Sequence, residues 1–362
     1  MVENTTGYCL DLIIHPGETL KEVLDDRGMS QKELSIRTGF TEKHISTVVK
    51  GKKGISNSFA KALEYALGID TSFWCNLQNE YNQEIIELEQ ANGILDNELS
   101  VLENLKQIIN YFKEKNILED EDNRSVIVLK LRQIFNVSNL TFIPKLSMQG
   151  AFRAAETTAI DPYVLCAWQR ICEMKSEDMI IDKALNTKLL KSYIPQVKRL
   201  MFKDPNSMRN ELTEIFAECG ISFNIVRHFK GAPVQGFIKR TEDGKMLLCM
   251  TLRQSFADIF WFTLFHEIAH ILNGDVKSYL CDFDFTKDEV EKKADDFARD
   301  VLINPIHMNN FIRKADYSMD AINNFASQEG IPPYIVIGRL QKEKKIDYST
   351  YAGAKVRYKW VQ

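Results

Sequence analysis

The stretch from Trp261 to Leu272 contains the pattern His-Glu-x-x-His, formed by His266, Glu267 and His270. Residues four apart on a helix lie on one face, so both imidazoles can bind the same metal ion. Imidazole is a good zinc ligand, and a carboxylate beside the first ligand can take a proton from water. The apolar surroundings predict a helix buried inside a domain. The alternative is a chance match in which both histidines make hydrogen bonds in a core.

A second helical pattern follows downstream and offers a third ligand. Four apolar residues at helical spacing mark one buried face, and Glu291 lies on that face three residues before the first of them. These apolar residues are Ala294, Phe297, Ala298 and Val301. A carboxylate on an apolar face is costly unless it is paired or bound to a metal. The two patterns together predict a zinc site, with Asp295 as a reserve ligand or as a partner of a ligand.

The combined pattern resembles the ImmA/IrrE family of zincin-like metallopeptidases. The matching residues are His266, Glu267, His270, Glu291, Ala294, Phe297, Ala298, Leu302 and Pro305. The resemblance implies that His266, His270 and Glu291 bind Zn²⁺ and that Glu267 is the catalytic base of a metalloendopeptidase. One departure is Asp295, where many members have Asn. The residue that stabilises the oxyanion stays open among His228, Tyr279 and His307, and Arg253 either orients a substrate or pairs with an acid.

The composition is ordinary for a soluble globular protein of two or three domains. The chain has 362 residues, of which 44% are hydrophobic and 27% charged, with a net charge of −4. No apolar run approaches the roughly 20 residues of a membrane span, and the N-terminus has no signal-peptide pattern. Seven scattered cysteines without a Cys-x-x-Cys motif indicate reduced thiols. We therefore expect a cytoplasmic protein without a membrane partner.

Residues 14–80 have the pattern of four short helices. Ser30 begins a capping box with Glu33, Thr41 caps the next helix, and Gly39 lies between the two. Two short helices joined by a tight glycine turn form a helix-turn-helix, whose second helix can enter the major groove of DNA.

The charge of this segment is concentrated at its third helix. Residues 1–80 hold nine Lys/Arg and eleven Asp/Glu, a net of −2, whereas residues 41–61 hold five Lys against one Glu, a net of +4. Base-edge and phosphate contacts are expected from Gln31, Thr41, Glu42, Lys43, Ser46, Thr47, Lys50 and Lys52. The alternative is a small helical interaction domain with a solvated basic loop.

The segment from Gly17 to Leu67 also resembles the XRE/Cro-type helix-turn-helix of HigA antitoxins. The matching pieces are Leu20-Lys21-Glu22, Ser30-Gln31-Lys32-Glu33-Leu34, Gly39, Ile45-Ser46, Lys50-Gly51 and Leu63. The resemblance implies binding to a double-stranded DNA operator, as a homodimer on a palindrome.

The middle of the chain is less informative. Residues 84–122 carry eleven acids against three lysines. Apolar residues at heptad spacing indicate either a short dimerising coiled coil or helices packed on their own chain, and both readings stay open. These residues are Ile85, Leu88, Leu95, Leu99, Leu102 and Ile109. The stretches Ala151-Phe152-Arg153 and Tyr163 to Trp168 predict another pair of helices.

After Pro205 the sequence begins to predict strands as well as helices. Ile221–Val226, Val234–Lys239 and Met246–Leu252 predict three strands, the last two joined by a hairpin around Glu242-Asp243-Gly244. The edge of such a sheet, beside the His-Glu-x-x-His helix, is able to hold an extended peptide by strand addition. The basic segment 342–359 is expected to be a solvated tail, and the alternative is contact with DNA or with the acidic connector.

The sequence thus predicts an α+β fold, mostly α, in four parts. These are an XRE-type helix-turn-helix domain (1–80), a helical connector (81–204), a zincin-like domain with a small sheet (205–318) and a helical cap with a basic tail (319–362). The leading interpretation is a DNA-binding regulator whose zinc peptidase cleaves itself or a partner protein. The alternative is a HigA-like antitoxin that represses its own operon and neutralises a cognate toxin, with a structural or sensory zinc.

Overall fold

The computed structural model describes residues 13–146, 151–154, 160–240, 244–276 and 287–359. The described residues are mostly helical, with short 3₁₀ helices at Leu140–Phe142, Leu200–Phe202 and Ala352–Ala354. The helices are α1 (Pro16–Asp26), α2 (Gln31–Thr38), α3 (Glu42–Val49), α4 (Asn57–Leu67), α5 (Thr71–Asn92), α6 (Asp96–Asn104), α7 (Lys106–Glu114), α8 (Arg124–Phe135), α9 (Ile143–Leu146), α10 (Pro162–Glu177), α11 (Thr187–Arg199), α12 (Pro205–Glu218), α13 (Ala257–Asn273), α14 (Lys287–Leu302), α15 (Pro305–Lys314), α16 (Met319–Glu329) and α17 (Pro333–Lys342).

A small mixed sheet accompanies these helices. Its strands are β1 (Ala151–Ala154), β2 (Ile221–Val226), β3 (Val234–Arg240) and β4 (Met246–Thr251), in the order β1-β3-β4-β2. Strand β2 runs parallel to β4, whereas β3 is antiparallel to both β4 and β1. The predicted class, mostly α with a small sheet, is confirmed, and the three strands predicted from alternating apolar residues are present.

The chain divides into two compact units. One comprises residues 1–102 with 116–133, and the other comprises residues 103–115 with 134–362. Residues of the predicted connector, 81–204, therefore occur in both units. The predicted boundaries at 80, 204 and 318 stay predictions.

The first unit begins with a bundle of short helices whose starts are fixed by side-chain caps. The Ser30 hydroxyl accepts a hydrogen bond from the amide of Glu33 at 3.1 Å, and the Thr41 hydroxyl accepts one from the amide of His44 at 3.1 Å. Such caps satisfy amides that have no partner within the helix. Gly39 ends α2 with a positive φ of 73°, which turns the chain into α3. The predicted capping pattern is confirmed.

The second unit is built around α13. Its core combines the face of β3 and β4 that meets α13 with side chains of α11, α12, α14, α16 and α17. Trp261, Leu264, Phe265 and Ile268 of α13 are fully buried in this core. A helix that is apolar on nearly every side is stable only when other elements cover it.

The C-terminal segment is not a solvated tail as the sequence predicts. The Tyr358 hydroxyl and the indole Nε1 of Trp261 are hydrogen-bonded at 2.9 Å, and Lys355 forms a buried ion pair with Asp258 of α13 at 2.8 Å. The cations at Lys355 and Arg357 also lie over the ring of Phe256. The segment packs at the start of α13 because Lys355 and Tyr358 both find partners there, Asp258 and Trp261 respectively.

Of the two readings left open for the acidic heptad pattern, the structure supports helices packed on their own chain. The pattern is divided among α5, α6 and α7, and its residues Leu88, Leu102 and Ile109 are buried within their own chain.

One prediction about the middle of the chain is wrong. The stretch Ala151-Phe152-Arg153, predicted to be helical, belongs to strand β1, because pairing with β3 outweighs the helical propensity of its alanines.

Within the described ranges, no single helix has the length and hydropathy to cross a bilayer, although the bent pair Arg124–Phe135 and Leu140–Leu146 passes on those two criteria together. The described cysteines are free thiols, namely Cys75, Cys166, Cys172, Cys219 and Cys249. Cys9, Cys281, the N-terminal residues and the turn residues Glu242 and Asp243 lie outside the described ranges.

Candidate functional site

Helix α13 carries both histidines of the His-Glu-x-x-His pattern into the interior of the second unit. His266 is 1% exposed, Glu267 4% and His270 5%. Three polar side chains buried in one apolar helix would be destabilising unless each found a partner. The partners of the two histidines come from α14 and from the residues just after α13, and Glu267 packs against strand β3.

The third predicted ligand meets the two histidines. Glu291 lies on the first turns of α14, and its carboxylate is 3.1 Å from Nε2 of His266 and 3.8 Å from Nε2 of His270. The two Nε2 atoms are 3.1 Å apart. One donor atom from each of the three residues lies within 4.8 Å of the others. The structure therefore brings together the residues predicted as metal ligands.

The other ring nitrogen of each histidine faces a carboxylate. Nδ1 of His266 is 2.8 Å from Asp295 of α14, and Nδ1 of His270 is 2.9 Å from Asp275. A carboxylate next to Nδ1 fixes the tautomer with the proton on that nitrogen, so the Nε2 lone pair is available to a metal ion. Asp295, predicted as a reserve ligand or a ligand's partner, takes the partner position.

The spacing of the three donors fits a tetrahedral ion. Zinc binds imidazole nitrogen and carboxylate oxygen at 2.0–2.2 Å, so adjacent ligand atoms of a tetrahedral site lie about 3.4 Å apart. The observed separations of 3.1, 3.1 and 3.8 Å bracket that value. Two nitrogen donors with one carboxylate are also a donor set that zinc accepts, with the fourth position open to water or substrate. The residues thus fit the ion that the sequence pattern predicts.

Glu267 is positioned by strand β3. Its side chain packs against the backbone of Gly236, where a Cβ would stand 2.5 Å from Oε1. One helical turn earlier, the hydroxyl of Thr263 donates a hydrogen bond to Oε1 of Gln235 at 3.3 Å. The side chains of α13 that surround the site therefore meet β3 at two consecutive residues.

Of the candidates for stabilising an oxyanion, the structure describes His228 and His307. Nδ1 of His307 is hydrogen-bonded to the carboxylate of Glu329 at 2.6 Å. The pKa of His228 is lowered by burial and, to a smaller extent, by the charges of Arg253 and Arg227. Tyr279 lies outside the described residues.

The helix-turn-helix presents the second candidate site. Ile45 and Val48 of α3 are fully buried beside Leu34 of α2, and this fixes which face of α3 points outward. The outward residues include several that are predicted to contact DNA. Thr41, Glu42, Lys43, Lys50 and Lys52 are exposed, and Gln31, Ser46 and Thr47 are half-buried.

Thr47 is one of these residues and has a local partner, and a neighbouring pair, Lys53 and His44, also interacts. The Thr47 hydroxyl donates to the carbonyl oxygen of Lys43 one turn earlier. Next to α3, Nζ of Lys53 lies 3.2 Å from Nδ1 of His44. The pKa of His44 is lowered, chiefly by burial and then by Lys53, so its neutral ring accepts a hydrogen bond from the ammonium group. The basic loop after α3 is therefore held partly by a histidine of α3.

The sequence of this region matches a known domain. Residues 19–71 match the family model of the Cro/C1-type HTH DNA-binding domain. The N-terminal helices are a Cro/C1-type DNA-binding domain. The match ends at residue 71, so the residues of the candidate metal site lie beyond it.

Comparisons of the whole chain add little. No curated protein matches the chain. Among solved structures, antitoxin HigA of Pseudomonas aeruginosa with the higBA promoter is similar at 27% identity over 23% of this chain and 97% of that chain, with a TM-score of 0.22. An addiction module antidote protein of a HigA family from Coxiella burnetii is similar at 23% identity over 27% of this chain and 92% of its own, with a TM-score of 0.20. Likenesses at these TM-scores are too limited to indicate a function.

Three residues of the candidate sites were not identified from the sequence. Asp275 follows His270 by five residues, beyond the helix, and the reversal of the chain at Gly274 brings it back to Nδ1. Gly236 lies inside a predicted strand and was not singled out. An isolated glycine in a strand nevertheless indicates that another group approaches the backbone closely. His44 lies on the predicted recognition helix α3. Its contact with Lys53 is seen only in the folded helix bundle.

Proposed function

We propose that this chain is a DNA-binding regulator whose second unit binds zinc and hydrolyses a peptide bond. The observation that carries the proposal is the convergence of His266, His270 and Glu291, with a carboxylate behind each imidazole and Glu267 buried beside them. This arrangement supports a metal ion, because one donor atom of each of the three residues lies within 4.8 Å of the others while the second nitrogen of each imidazole faces a carboxylate.

In this proposal His266, His270 and Glu291 hold the ion. Zinc bound there supplies a Lewis acid that polarises a carbonyl group and lowers the pKa of water toward about 7. Glu267 accepts a proton from the attacking water and delivers it to the nitrogen of the departing amine. Asp295 and Asp275 keep the imidazoles in the ligating tautomer. The core around α13 buries Glu267, which is 4% exposed, whereas the Glu291 side chain is 49% exposed and is open to solvent.

The Cro/C1-type domain provides the other half of the proposal. Lys50 and Lys52 are exposed just after α3, where they suit phosphate contacts, and we expect Thr41, Lys43 and Ser46 to contact base edges. Joining such a domain to a hydrolytic site suits a regulator whose DNA binding is changed by proteolysis. The DNA operator and the homodimer remain parts of this proposal.

The test combines metal content with hydrolysis. Native mass spectrometry of the full chain after zinc loading is expected to show one ion per chain in the wild type and in Glu267→Gln, and none in His266→Ala. Unfolded casein, as a general peptide substrate, is expected to be cut by the wild type, only residually by Glu267→Gln, and not by His266→Ala. General acid–base groups contribute about 10²–10⁴-fold, so residual cutting by Glu267→Gln should lie in that range below wild type.

Two outcomes would contradict the proposal. Zinc bound by the wild type without any hydrolysis would favour a regulator or antitoxin in which the metal is structural. Equal zinc binding by His266→Ala would remove the three-residue cluster from metal binding altogether.

A further inference from the structure

The outer strand β1 occupies the sheet edge that a peptide substrate would need. Strand β3 touches α13 at Gln235 and Gly236, and its far side pairs with β1 instead of remaining open. An extended peptide that binds a sheet edge does so by adding a strand. The sequence predicts an exposed edge for this purpose, and the structure fills that edge with residues 151–154.

The register places one residue of β1 beside the candidate site. Phe152 pairs with Phe237, and Ala154 pairs with Val234. Between these pairs β1 contributes one residue, Arg153, whereas β3 contributes two, Gln235 and Gly236. Two residues opposite one define a bulge, a feature that often occurs next to active sites. Arg153 therefore lies across from Gly236, the residue on which Glu267 packs.

The composition of β1 also distinguishes it from the other strands. Two of its four described residues are alanines, which are depleted in strands. Adjacent strands lie about 4.8 Å apart, so the β1 backbone is one strand spacing from the β3 residue that contacts Glu267. The segment pairs with β3 in antiparallel register, as an extended peptide does when it adds to a sheet edge.

We propose that the segment Ala151–Ala154 is the substrate of the candidate metal site in the same chain, and that one of the two peptide bonds of Arg153 is cleaved. This inference rests on the proposed function. The oxygen of a water molecule bonds to the carbonyl carbon of Phe152 or Arg153, and the C–N bond to the next residue breaks. The proton that Glu267 takes from the water passes to the new amine. No oxidant or other co-reactant is required.

The consequence is a switch between the two functions of the chain. Residues 19–71 lie before the cleaved bond, and α13 and α14 lie after it. Cleavage therefore breaks the covalent connection between the DNA-binding domain and the metal-binding helices. A regulator that divides itself in this way would change its operator binding without a second protein substrate.

The first experiment follows the intact mass of the zinc-loaded full chain. We expect two fragments whose new ends lie at Phe152–Arg153 or Arg153–Ala154 in the wild type, and no fragments in Glu267→Gln. The rate should be independent of protein concentration over a 100-fold dilution, because the substrate is in the same chain. Isotope-labelled Glu267→Gln mixed with unlabelled wild type should remain intact.

A pair of variants tests the role of strand pairing. Phe152→Pro fixes φ and removes an amide, so it disfavours the β1 strand, whereas Phe152→Ala keeps the backbone able to pair. We expect Phe152→Pro to lower the rate of self-cleavage by about 100-fold, the effect of misplacing a reacting group by roughly 1 Å. Phe152→Ala should stay within about tenfold of wild type. Both variants should retain one zinc per chain.

The outcomes separate this inference from the proposed function. If the wild type cuts casein but leaves its own chain intact, or cuts it elsewhere, only the assignment of residues 151–154 is wrong. Cleavage of Phe152→Pro at the wild-type rate would likewise overturn it. If no zinc binds and nothing is cut, the proposed function fails and this inference fails with it.

Discussion

The carboxylate of Glu267 rests on the backbone of Gly236, with room for a hydrogen atom at that position but not for a methyl group. A Cβ there would stand 2.5 Å from Oε1 and 2.8 Å from Cγ of Glu267. The φ of Gly236 is not in the left-handed region, so its absent side chain and not its backbone conformation is the property that matters.

Gly236→Ala is therefore expected to displace Glu267 without disturbing the metal ligands. A displacement of about 1 Å costs up to roughly 100-fold in rate, and we expect a loss of that order in casein hydrolysis with zinc content unchanged. Gly353→Ala is the matched control, because a Cβ at Gly353 has no neighbour within 4 Å. Full activity of Gly236→Ala would show that the position of Glu267 against β3 is unimportant.

The carboxylates behind the imidazoles should tune metal affinity. Asp275→Asn and Asp295→Asn each replace an ionised acceptor at Nδ1 with a neutral amide, and the loss of such a partner typically lowers metal affinity by about 10–100-fold. Zinc competition with a chromogenic chelator measures this change. Asp300→Asn, an exposed position on the same helix α14, should bind zinc like the wild type. Unchanged affinity in both test variants would exclude the partner role.

The lysines after α3 should determine the salt dependence of DNA binding. Each phosphate contact contributes about 0.9 to the slope of log affinity against log salt concentration. Lys50→Ala and Lys52→Ala are each expected to reduce the slope by about that amount on any duplex, as measured by fluorescence anisotropy at several salt concentrations. Lys191→Ala removes an exposed lysine of α11, outside the matched domain, and should leave the slope unchanged. An equal reduction by all three would indicate only a general charge effect.

The first helix should lose stability in mild acid. Nδ1 of His15 caps α1 by accepting a hydrogen bond from the amide of Gly17 at 2.9 Å, and burial lowers the pKa of His15 against the weaker opposing charge of Glu18. The folded state then binds fewer protons than the unfolded state. The stability that neutral His15 provides is therefore complete above the unfolded pKa of 6.5 and falls as the pH decreases through the interval down to the folded pKa.

Hydrogen exchange can follow this loss locally. After correction for intrinsic exchange, protection of the α1 amides is expected to decrease between pH 7.5 and pH 5.5 in the wild type. His15→Asn keeps a side-chain acceptor at the cap without a titrating group, so its protection should vary less with pH. The same decrease in both proteins would assign the effect to other groups, among which His44 also has a lowered pKa.

The sequence by itself determined the local structures of both candidate sites. Helical spacing placed His266 and His270 on one face and Glu291 on the apolar face of the next helix, since these relationships depend only on the period of the α-helix. The helix-turn-helix was likewise determined by local features, namely the caps at Ser30 and Thr41 and the glycine between them. Local hydrogen bonds and periodicity act within a few residues and can be recognised without a fold.

Only the tertiary structure decided which distant residues meet. Asp295 faces His266 because α14 packs on α13, and Gly236 meets Glu267 because β3 packs on that helix. Strand β1 contradicts its local propensity because its backbone groups find partners on β3, and the basic C-terminal segment packs because Asp258 and Trp261 offer it an ion pair and a hydrogen bond. Such contacts depend on chain folding over tens to hundreds of residues, and the free energy of burial and pairing there exceeds the local preferences that a sequence pattern reveals.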